Sequence, residues 1–388
     1  MKKVIIIGAG ASGVYLSSLL MKKCYGQLEV LVLEQNAAPL KKLLATGNGR
    51  CNLSNKDMDI QYFHSDDLNK VKSIIHSFDV QKAFEEIGLL SIYQGNLLYP
   101  RSEQALTVKN ILMDEAINQG VRFIYNQEVI KIECQSQYVL YTQDHTYKAD
   151  YVIFAMGSEA GKLSGMNQSR YDLFKQLKLE TLPAKSSLVS LHTLPVLKQL
   201  KGVRVKGTFK LLNHNQCIHT EEGELLFSDY GVSGIAVMQL SSFIEDNQQY
   251  EMSLDLFDDY SYDELYDLIE KRKSQYYEHF YDGLVHNKIS HYLETLNMKD
   301  THKIVKQLKD FRLKITGLRP LEYAQVAKGG LVLKETDDNL QIKKYPHLYA
   351  IGENLNVTGL CGGYNLHFAF ACAARVASAI EREINVKS

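Results

Sequence analysis

Three glycines near the start of the chain have the spacing needed to hold a phosphate-containing cofactor. Gly8, Gly10 and Gly13 form a G-x-G-x-x-G pattern directly after the β-branched run "VIII". The first glycine permits a tight turn, the second lets backbone N–H groups approach a pyrophosphate, and the third lets a helix pack closely on a strand. The positive end of that helix would face the phosphate oxygens. The motif therefore predicts a dinucleotide-binding turn that also includes Ala11 and Ser12.

A carboxylate follows where a dinucleotide's ribose would need one. Glu34 ends the strand-like run "LEVLVLE" and lies 21 residues beyond Gly13. A carboxylate there can accept hydrogen bonds from both hydroxyls of an adenosine ribose, and it would repel a 2′-phosphate. Together with Gln35, Glu34 favours FAD or NAD over NADP as the primary ligand.

A second glycine-rich segment favours FAD over NAD. Gly352 and Glu353 follow a short strand-like run, where flavoproteins of this architecture place an acidic residue against the ribityl chain. Gly362 and Gly363 then precede a long apolar helix that starts at Tyr364. The N-terminus of that helix can stabilise negative charge on the pyrimidine end of a reduced flavin. Because an enzyme that binds only NAD has no use for a second cradle, the sequence predicts FAD.

The stretch "KKLLATGNGRCNLSN", residues 41–55, is rich in glycine and asparagine around one arginine and one cysteine. Glycine costs backbone entropy and asparagine competes for backbone hydrogen bonds, so neither helix nor strand tolerates this mixture well. The stretch predicts a loop that wraps a polar group.

Composition excludes several classes of protein. The 388 residues include 44 basic and 45 acidic side chains, so the chain has no overall charge that would attract nucleic acid or anionic lipid. The six cysteines form no C-x-x-C pair, which argues against a redox dithiol or structural metal and fits a reducing cytoplasm. The apolar run Val4–Ile7 is too short for a signal sequence. We expect a cytoplasmic protein with no membrane segment, no metal and a small-molecule substrate, and its oligomeric state is left open.

The pattern of strands and helices predicts an α/β protein with inserted domains. Residues 1–183 and 314–388 share a strand–loop–helix pattern and are assigned to one dinucleotide-binding domain. Residues 184–257 show alternating strands and form an inserted β-rich domain, and residues 258–313 form a charged helical domain. No second G-x-G-x-x-G occurs, so NAD(P)H, if used, is expected to dock transiently rather than on a domain of its own.

Four blocks resemble one bacterial family, the HI0933-like FAD/NAD(P)-dependent oxidoreductases, some of which are bile-acid enone reductases or aminoacetone oxidases. They are "KKLLATGNGRCNLSN", "GELLFSDYGVSGIAVMQLS", "ITGLRPLEYAQVAKGG" and "GENLNVTGLCGGYNLHFAFACA". The resemblance runs from residue 4 to about 378. It implies a FAD-binding Rossmann-type fold, that of a two-dinucleotide-binding-domain flavoprotein, with an inserted β-barrel-like domain and a small helical domain.

The resemblance also implies which further residues bind FAD. The loop from Lys42 to Asn52 would run along the flavin, Val129 would lie beside the adenine, and the segment at Ala155 would touch the cofactor. The residues implied are Lys42, Thr46, Gly47, Asn48, Gly49, Arg50, Cys51, Asn52, Val129, Ala155, Met156 and Gly157.

The sequence departs from the family pattern at four places. Met156 stands where threonine is usual, and "SEAGKLSGMNQSRYDLF" lacks the G-S-x-G-x-G-Y run, which puts the loop after residue 157 in doubt as a flavin contact. His367 and Phe368 replace Gln-Trp, and Pro320 replaces glycine after Arg319. The latter two changes indicate an altered substrate pocket.

Residues for the reaction itself are harder to choose. A flavin carries the hydride, so the protein needs only to orient substrate and to move one proton. Tyr364, Asn365 and His367 are candidates by position, each with a packing role as the alternative. Arg319 is a candidate anchor for a carbonyl or carboxylate, with a structural ion pair as the alternative. Cys51 could attack a substrate if Arg50 lowered its pKa, although an inert thiol is favoured.

We therefore expect an FAD-dependent oxidoreductase that transfers a hydride between flavin and a small organic molecule. On the resemblance alone, an NAD(P)H-linked reductase of a conjugated carbonyl compound is favoured. The alternatives are an oxidase of a small amine or ketone that releases hydrogen peroxide, a flavin-dependent RNA-modifying protein and a redox sensor without turnover. The balanced charge argues against RNA, although "KQLKGVRVKGTFK" at 198–210 offers a local basic strip.

Overall fold

The chain forms two compact units. A computed structural model describes residues 1–161, 169–276 and 279–386. Unit 1 comprises Met1–Lys185 and Val326–Ser388, and unit 2 comprises Ser186–Gln325.

The first part of the chain begins with the predicted strand, turn and helix. The β-branched run favours an extended backbone, and its residues from Val4 onward are buried. Residues 91–100 form a β-hairpin. The elements up to the insertion are β1 (Lys2–Ile7), α1 (Ala11–Lys23), β2 (Leu28–Leu33), α2 (Lys41–Ala45), β3 (Ser54–Asn55), β4 (Phe63–Ser65), α3 (Leu68–Ile75), α4 (Val80–Glu85), β5 (Ser91–Gln94), β6 (Leu97–Pro100), α5 (Ala105–Asn118), β7 (Arg122–Ile124), β8 (Lys131–Cys134), β9 (Tyr138–Tyr141), β10 (Thr146–Ala149), β11 (Tyr151–Phe154), α6 (Ser169–Gln176) and β12 (Thr181–Ser187).

Unit 2 contains a closed six-stranded barrel with helices packed on it. The strand order around the barrel is β13-β16-β15-β14-β17-β18, and every pair of neighbours is antiparallel. Its elements are β13 (Leu191–Leu194), β14 (Arg204–Asn213), β15 (Gln216–Phe227), β16 (Gly231–Ser233), α7 (Ile235–Ser241), β17 (Tyr250–Asp255), α8 (Tyr262–Tyr276), α9 (Asn287–Thr295), α10 (Thr301–Lys309) and β18 (Phe311–Leu318).

The rest of the chain returns to unit 1. Its elements are β19 (Val326–Leu331), β20 (Leu348–Ala350), β21 (Val357–Gly359) and α11 (Tyr364–Val386). Helix α11 packs on α1, where Phe370 meets the ring of Tyr15 edge-on with centroids 5.5 Å apart, and Lys23 pairs with Glu381.

A five-stranded parallel sheet brings the two separated parts of unit 1 together. Its strand order is β20-β11-β1-β2-β7, so the late strand β20 lies beside β11. The carboxyl ends of the strands share one edge, where a doubly wound sheet binds its ligand. The predicted α/β, Rossmann-type fold with an inserted barrel is confirmed.

The units differ from the predicted division in two ways. The predicted return at residue 314 falls inside β18, which closes the barrel between β13 and β17. Residues 258–313 were assigned to a separate helical domain, yet Leu265, Ile289 and Ile304 belong to the same buried cluster as the barrel interior. The charged helices bury their apolar faces on the barrel because each is too short to form a core alone.

Among the residues described, no helix is both long enough and apolar enough to cross a lipid bilayer.

Candidate functional site

The glycine turn after β1 is tightly constrained by its neighbours. Gly8 has a φ of +109°, and a Cβ there would lie 2.4 Å from the carbonyl oxygen of Ala155. A Cβ on Gly13 would lie 2.1 Å from the carbonyl oxygen of Gly8. Gly10 caps α1, and no side chain caps this helix end. The N-terminus of α1, with Ala11 and the buried Ser12, is thus suited to face an anion.

The Glu34 carboxylate is buried at the end of β2 and already accepts three hydrogen bonds. Its Oε2 accepts from the N–H of Ala9 at 2.7 Å, and its Oε1 accepts from the backbone and side-chain N–H groups of Asn36 at 2.8 and 2.7 Å. Two carboxylate oxygens offer about four lone pairs. One lone pair, on Oε2, is therefore left to accept from a ribose hydroxyl. The sequence had suggested that Glu34 accepts from both hydroxyls of the ribose. Gln35 lies next to it, half-buried.

The loop that follows α2 has the bendable backbone its composition predicts. Gly47, Asn48, Gly49 and Cys51 all have positive φ. The Thr46 hydroxyl donates to the carbonyl oxygen of Leu43 at 2.6 Å and fixes the start of the loop. The loop is wound back on itself, because the N–H of Cys51 donates to the carbonyl oxygen of Thr46 at 3.0 Å.

Arg50 points toward an aromatic ring. Its guanidinium carbon lies 4.6 Å from the centroid of the Tyr99 ring, and its Nη1 lies 3.7 Å from a carboxylate oxygen of Glu103. Both partners are protein groups, so the structure gives Arg50 a cation–π contact and does not by itself place it on a cofactor.

The second glycine cradle lies against the end of the same loop. Gly363 has a φ of +92°, and a Cβ there would lie 2.5 Å from the carbonyl oxygen of Ser54 and 2.8 Å from Oδ1 of Asn52. Gly362 is fixed by the side-chain N–H of Asn55, which donates to its carbonyl oxygen at 2.9 Å.

One buried acceptor in this cradle has no partner. Oδ1 of Asn52 is buried and accepts no hydrogen bond from the residues described. Leaving such a group unpaired costs about 1–3 kcal/mol. A flavin carries an N–H group on its pyrimidine ring and hydroxyls on its ribityl chain, either of which would satisfy this oxygen. The two glycine cradles and the unpaired Asn52 therefore fit FAD.

A polar network joins the loop to the end of β20. Nζ of Lys42 lies 2.7 Å from Oε2 of Glu353, and the Ser158 hydroxyl donates to the same oxygen at 3.1 Å. The preceding Gly352 has a φ of +61°, and a Cβ there would lie 3.0 Å from Oγ of Ser12. The structure thus brings Lys42, Glu353 and the start of α1 to one edge of the sheet.

The remaining residues predicted to bind FAD also lie along this edge. Backbone atoms of Ala155 and Met156 lie within 3 Å of the position of a Cβ on Gly8. Gly157 follows with a φ of +78°. Val129 is buried, two residues beyond the N–H of Gln127 that donates to the carbonyl oxygen of Glu34.

Two of the candidates for the reaction are engaged within the protein. The Asn365 amide pairs with the backbone of Gly359, donating to its carbonyl and accepting from its N–H at 2.8 Å each. Tyr364 is buried, stacked on Tyr62 with centroids 4.9 Å apart and edge-on to Phe63. These contacts build the start of α11.

His367 is buried with both ring nitrogens bonded. Nε2 lies 2.9 Å from the carbonyl oxygen of Ile75, which can only accept, so Nε2 carries the proton. Nδ1 therefore accepts from the hydroxyl of Ser54 at 2.8 Å. Burial lowers the pKa of His367 below its ordinary value, although the bond to Ile75 opposes the shift. The neutral ring ties α11 to β3 and α3.

This lowered pKa predicts a loss of stability in mild acid. Because the unfolded histidine takes up a proton near pH 6.5 and the folded one does so only lower, stability is complete above pH 6.5 and falls as pH drops toward the folded pKa. We expect the melting temperature of His367→Gln to fall less steeply over this window than that of the wild type. An exposed control, His214→Asn, is expected to follow the wild type. Equal slopes for all three proteins would contradict the assignment.

Cys51 is inaccessible and holds its proton. Its side chain is fully buried, and burial raises the pKa of its thiol to about 12. The favoured interpretation of an inert thiol agrees with this environment.

Alkylation should distinguish the cysteines. We expect iodoacetamide near pH 8 to label the exposed Cys134 and Cys217 in the native protein and to leave Cys51 and Cys372 unmodified until denaturant is added. Peptide mass spectrometry measures each site. Fast labelling of native Cys51 would instead show a reactive thiolate.

Arg319 lies in unit 2, so the structure does not place it with the other candidates. Its guanidinium carbon lies 3.5 Å from the ring centroid of Tyr323 and 4.4 Å from that of Tyr230. Although burial opposes the shift, hydrogen bonds with Ser190, Ser228 and Arg319 lower the pKa of Tyr230 below its ordinary value. Its role as an anchor for substrate stays a prediction.

A buried ion pair that the sequence did not predict lies beside Glu353. Arg170 is fully buried and binds both carboxylate oxygens of Glu159 at 2.6 and 2.7 Å. Both residues belong to the segment 158–174 that departs from the family pattern, of which residues 162–168 lie outside the described part. Nothing in the spacing of the two residues pointed to a pair.

Comparison with known proteins gives one family match and full-length relatives. The model of the HI0933-like protein Rossmann domain matches residues 2–379. A 3-dehydro-bile acid delta(4,6)-reductase of Clostridium scindens is 29% identical over 96% of this chain and 97% of the relative. A ribosomal RNA dihydrouridine synthase of Escherichia coli is 28% identical over 95% of each chain.

Solved structures support the fold. The Mycobacterium smegmatis Sdh1 complex in the apo form contains a chain with a TM-score of 0.50 and 13% identity, over 99% of this chain and 69% of that one. At this identity the similarity concerns the fold alone.

Proposed function

This chain belongs to the HI0933-like family of Rossmann-domain proteins, and on that premise we propose that it is an NAD(P)H-linked reductase of a small conjugated carbonyl compound. The resemblance seen in the sequence is confirmed, and the chain is an FAD-dependent oxidoreductase. The observation that carries the choice of cofactor is the unpaired Oδ1 of Asn52 beside Gly363, in the same unit as the glycine turn after β1.

When bound, FAD supplies an acceptor and donor of hydride. The chain's own residues hold it. The N-terminus of α1 would face the pyrophosphate, Oε2 of Glu34 would accept from the ribose, and Asn52 and Glu353 would accept from the flavin and its ribityl chain. In the net reaction, the β-carbon of the conjugated C=C bond gains a hydride and the α-carbon gains a proton, while NAD(P)H becomes NAD(P)⁺.

The substrate class rests on the bile-acid relative. That enzyme is named for reducing delta(4,6) positions of a 3-dehydro-bile acid, which describes C=C bonds conjugated with a ketone. A ketone withdraws electrons from such a bond and makes its β-carbon a hydride acceptor. A location in the cytoplasm is part of the proposal and is supported by six free cysteines.

The second full-length relative acts on ribosomal RNA, and charge argues against that substrate here. Residues 186–325 carry sixteen basic and twenty acidic side chains. Two of the five basic residues in the strip at 198–210 are already paired with carboxylates, Lys201 with Asp229 and Arg204 with Glu224. RNA binding depends on unpaired basic charge that can displace counterions from phosphates. A small substrate is therefore favoured.

Anaerobic stopped-flow spectroscopy tests the proposal. The protein is loaded with FAD, and flavin absorbance is followed after adding NADH or NADPH and then one acceptor. The acceptors are a 3-oxo-4,6-diene steroid, a simple cyclic enone, dioxygen and a ribosomal RNA transcript, with free FAD as the control. We expect a reduced nicotinamide to bleach the flavin and the steroid or enone to restore its colour faster than dioxygen does.

Other outcomes select the alternatives. Reoxidation fastest with dioxygen, with hydrogen peroxide released, would indicate an oxidase. Reoxidation only by RNA, with dihydrouridine formed, would indicate an RNA-modifying enzyme. If none of the acceptors reoxidised the flavin, the reductase proposal would be overturned and a redox sensor without turnover would be the remaining alternative.

A further inference from the structure

Arg170 uses every hydrogen-bond donor it has inside the protein. Nε and Nη2 donate to the Glu159 carboxylate at 2.7 and 2.6 Å, and Nη2 also donates to the Tyr171 hydroxyl at 3.1 Å. Nη1 donates to the carbonyl oxygens of Gly157 at 2.8 Å and Glu353 at 2.6 Å. A guanidinium has five N–H groups, and all five are paired here.

The two carbonyls belong to loops that end adjacent strands. Gly157 follows β11 and Glu353 follows β20, and these strands are neighbours in the parallel sheet. One planar, rigid cation therefore holds both loops at a fixed separation. A lysine has only three N–H groups, so it could not make the two bonds to the Glu159 carboxylate, the bond to Tyr171 and the two bonds to these carbonyls together.

The same clamp determines where the Glu353 carboxylate points. Its backbone carbonyl is held by Arg170, and its side chain is held by Lys42 and Ser158. Through Lys42, the loop at 40–52 is connected to the same carboxylate. Arg170 thus fixes a carboxylate predicted to bind flavin without itself being placed on the cofactor.

We propose that Arg170, neutralised by Glu159, is a positioning residue that holds the Glu353 carboxylate in place for the ribityl chain of FAD. The inference rests on the proposed use of FAD. Removing a partner that orients a metal ligand typically lowers affinity about 10- to 100-fold, and we expect an effect of that order here.

The decisive variant removes both charges together. Arg170→Met alone would leave Glu159 buried without a partner and so destabilise the whole fold, whereas Arg170→Met with Glu159→Leu leaves no unpaired charge. We expect the double variant to keep the melting temperature of the apoprotein within a few degrees of the wild type. We expect it to bind FAD roughly 10-fold or more weakly by fluorescence titration, with a changed flavin absorption spectrum and midpoint potential.

Two further variants complete the test. Arg170→Lys retains the charge but not the fork, so its FAD affinity should lie between those of the wild type and the double variant. Lys309→Met in unit 2 also removes a cation bonded to one carboxylate and two carbonyls, and it should leave FAD affinity and spectrum unchanged. Wild-type affinity and spectrum in the double variant, or equal loss in Lys309→Met, would overturn the inference. Failure of the wild type itself to bind FAD would instead overturn the proposed function.

Discussion

Gly13→Ala is expected to abolish FAD binding, although the same change stabilises most helices by about 1 kcal/mol. The new Cβ would lie 2.1 Å from the carbonyl oxygen of Gly8 and 3.1 Å from Cβ of Ala155. Gly8 belongs to the turn predicted to receive the pyrophosphate, and Ala155 follows the adjacent strand β11, so α1 must move away from both. We expect a loss of about 3 kcal/mol in stability and a fall in FAD affinity of at least roughly 100-fold. Fluorescence titration and thermal unfolding of the apoprotein measure the two effects.

Gly317→Ala is the matched control for this change. Gly317 also lacks a positive φ, and no atom lies within 4 Å of the position of its Cβ. It should bind FAD as the wild type does. Normal FAD affinity in Gly13→Ala would show that the glycine turn is not the pyrophosphate site.

Gly363→Ala should remove FAD through the other cradle. The new Cβ would lie 2.5 Å from the carbonyl oxygen of Ser54 and 2.8 Å from Oδ1 of Asn52, the unpaired acceptor. The φ of +92° adds strain of about 1 kcal/mol for a residue with a side chain. We expect FAD affinity to fall at least roughly 100-fold, because the start of α11 must shift away from the loop. Equilibrium dialysis with FAD would measure it.

Gly202→Ala separates the effect of strain from the effect of contact. Its φ of +86° is similar, but no atom lies within 4 Å of its Cβ position. It should lose a little stability and no FAD affinity. If Gly363→Ala and Gly202→Ala bound FAD equally well, the C-terminal cradle would have no part in holding the flavin.

Local patterns were enough to predict much of unit 1. The β-branched run, the three glycines and Glu34 lie within one short strand–turn–helix–strand segment, so their spacing alone indicates their arrangement. The positive-φ loop was also predictable, because glycine and asparagine are the residues that tolerate such backbone. The barrel strand β18 was harder to assign to a unit, because its alternating pattern fits a strand in either one. Only its pairing with β13 and β17 shows that it belongs to the barrel.

The roles of the polar residues depend on contacts, often between residues far apart in sequence, which a local sequence pattern cannot predict. His367 was a candidate for proton transfer by position, yet its partners Ser54 and Ile75 lie 313 and 292 residues away in sequence. Arg170 was not singled out, because a buried arginine looks in sequence like any charged residue on a helix. Glu34 was predicted to lie at the ribose, but the nearby Asn36 that occupies its Oε1 was not foreseen.

The distant origin of β20 and α11 has a consequence for how the protein is made. A ribosome must synthesise residues 186–325 before either element emerges, and until then β11 has an open edge and α1 lacks the helix that covers it. A contiguous unit 2 can fold first, while the nascent unit 1 exposes apolar surface of the kind that chaperones recognise. Because the proposed FAD site includes Gly363 at the start of α11, we expect yellow colour in a translation reaction to appear only after α11 has been synthesised.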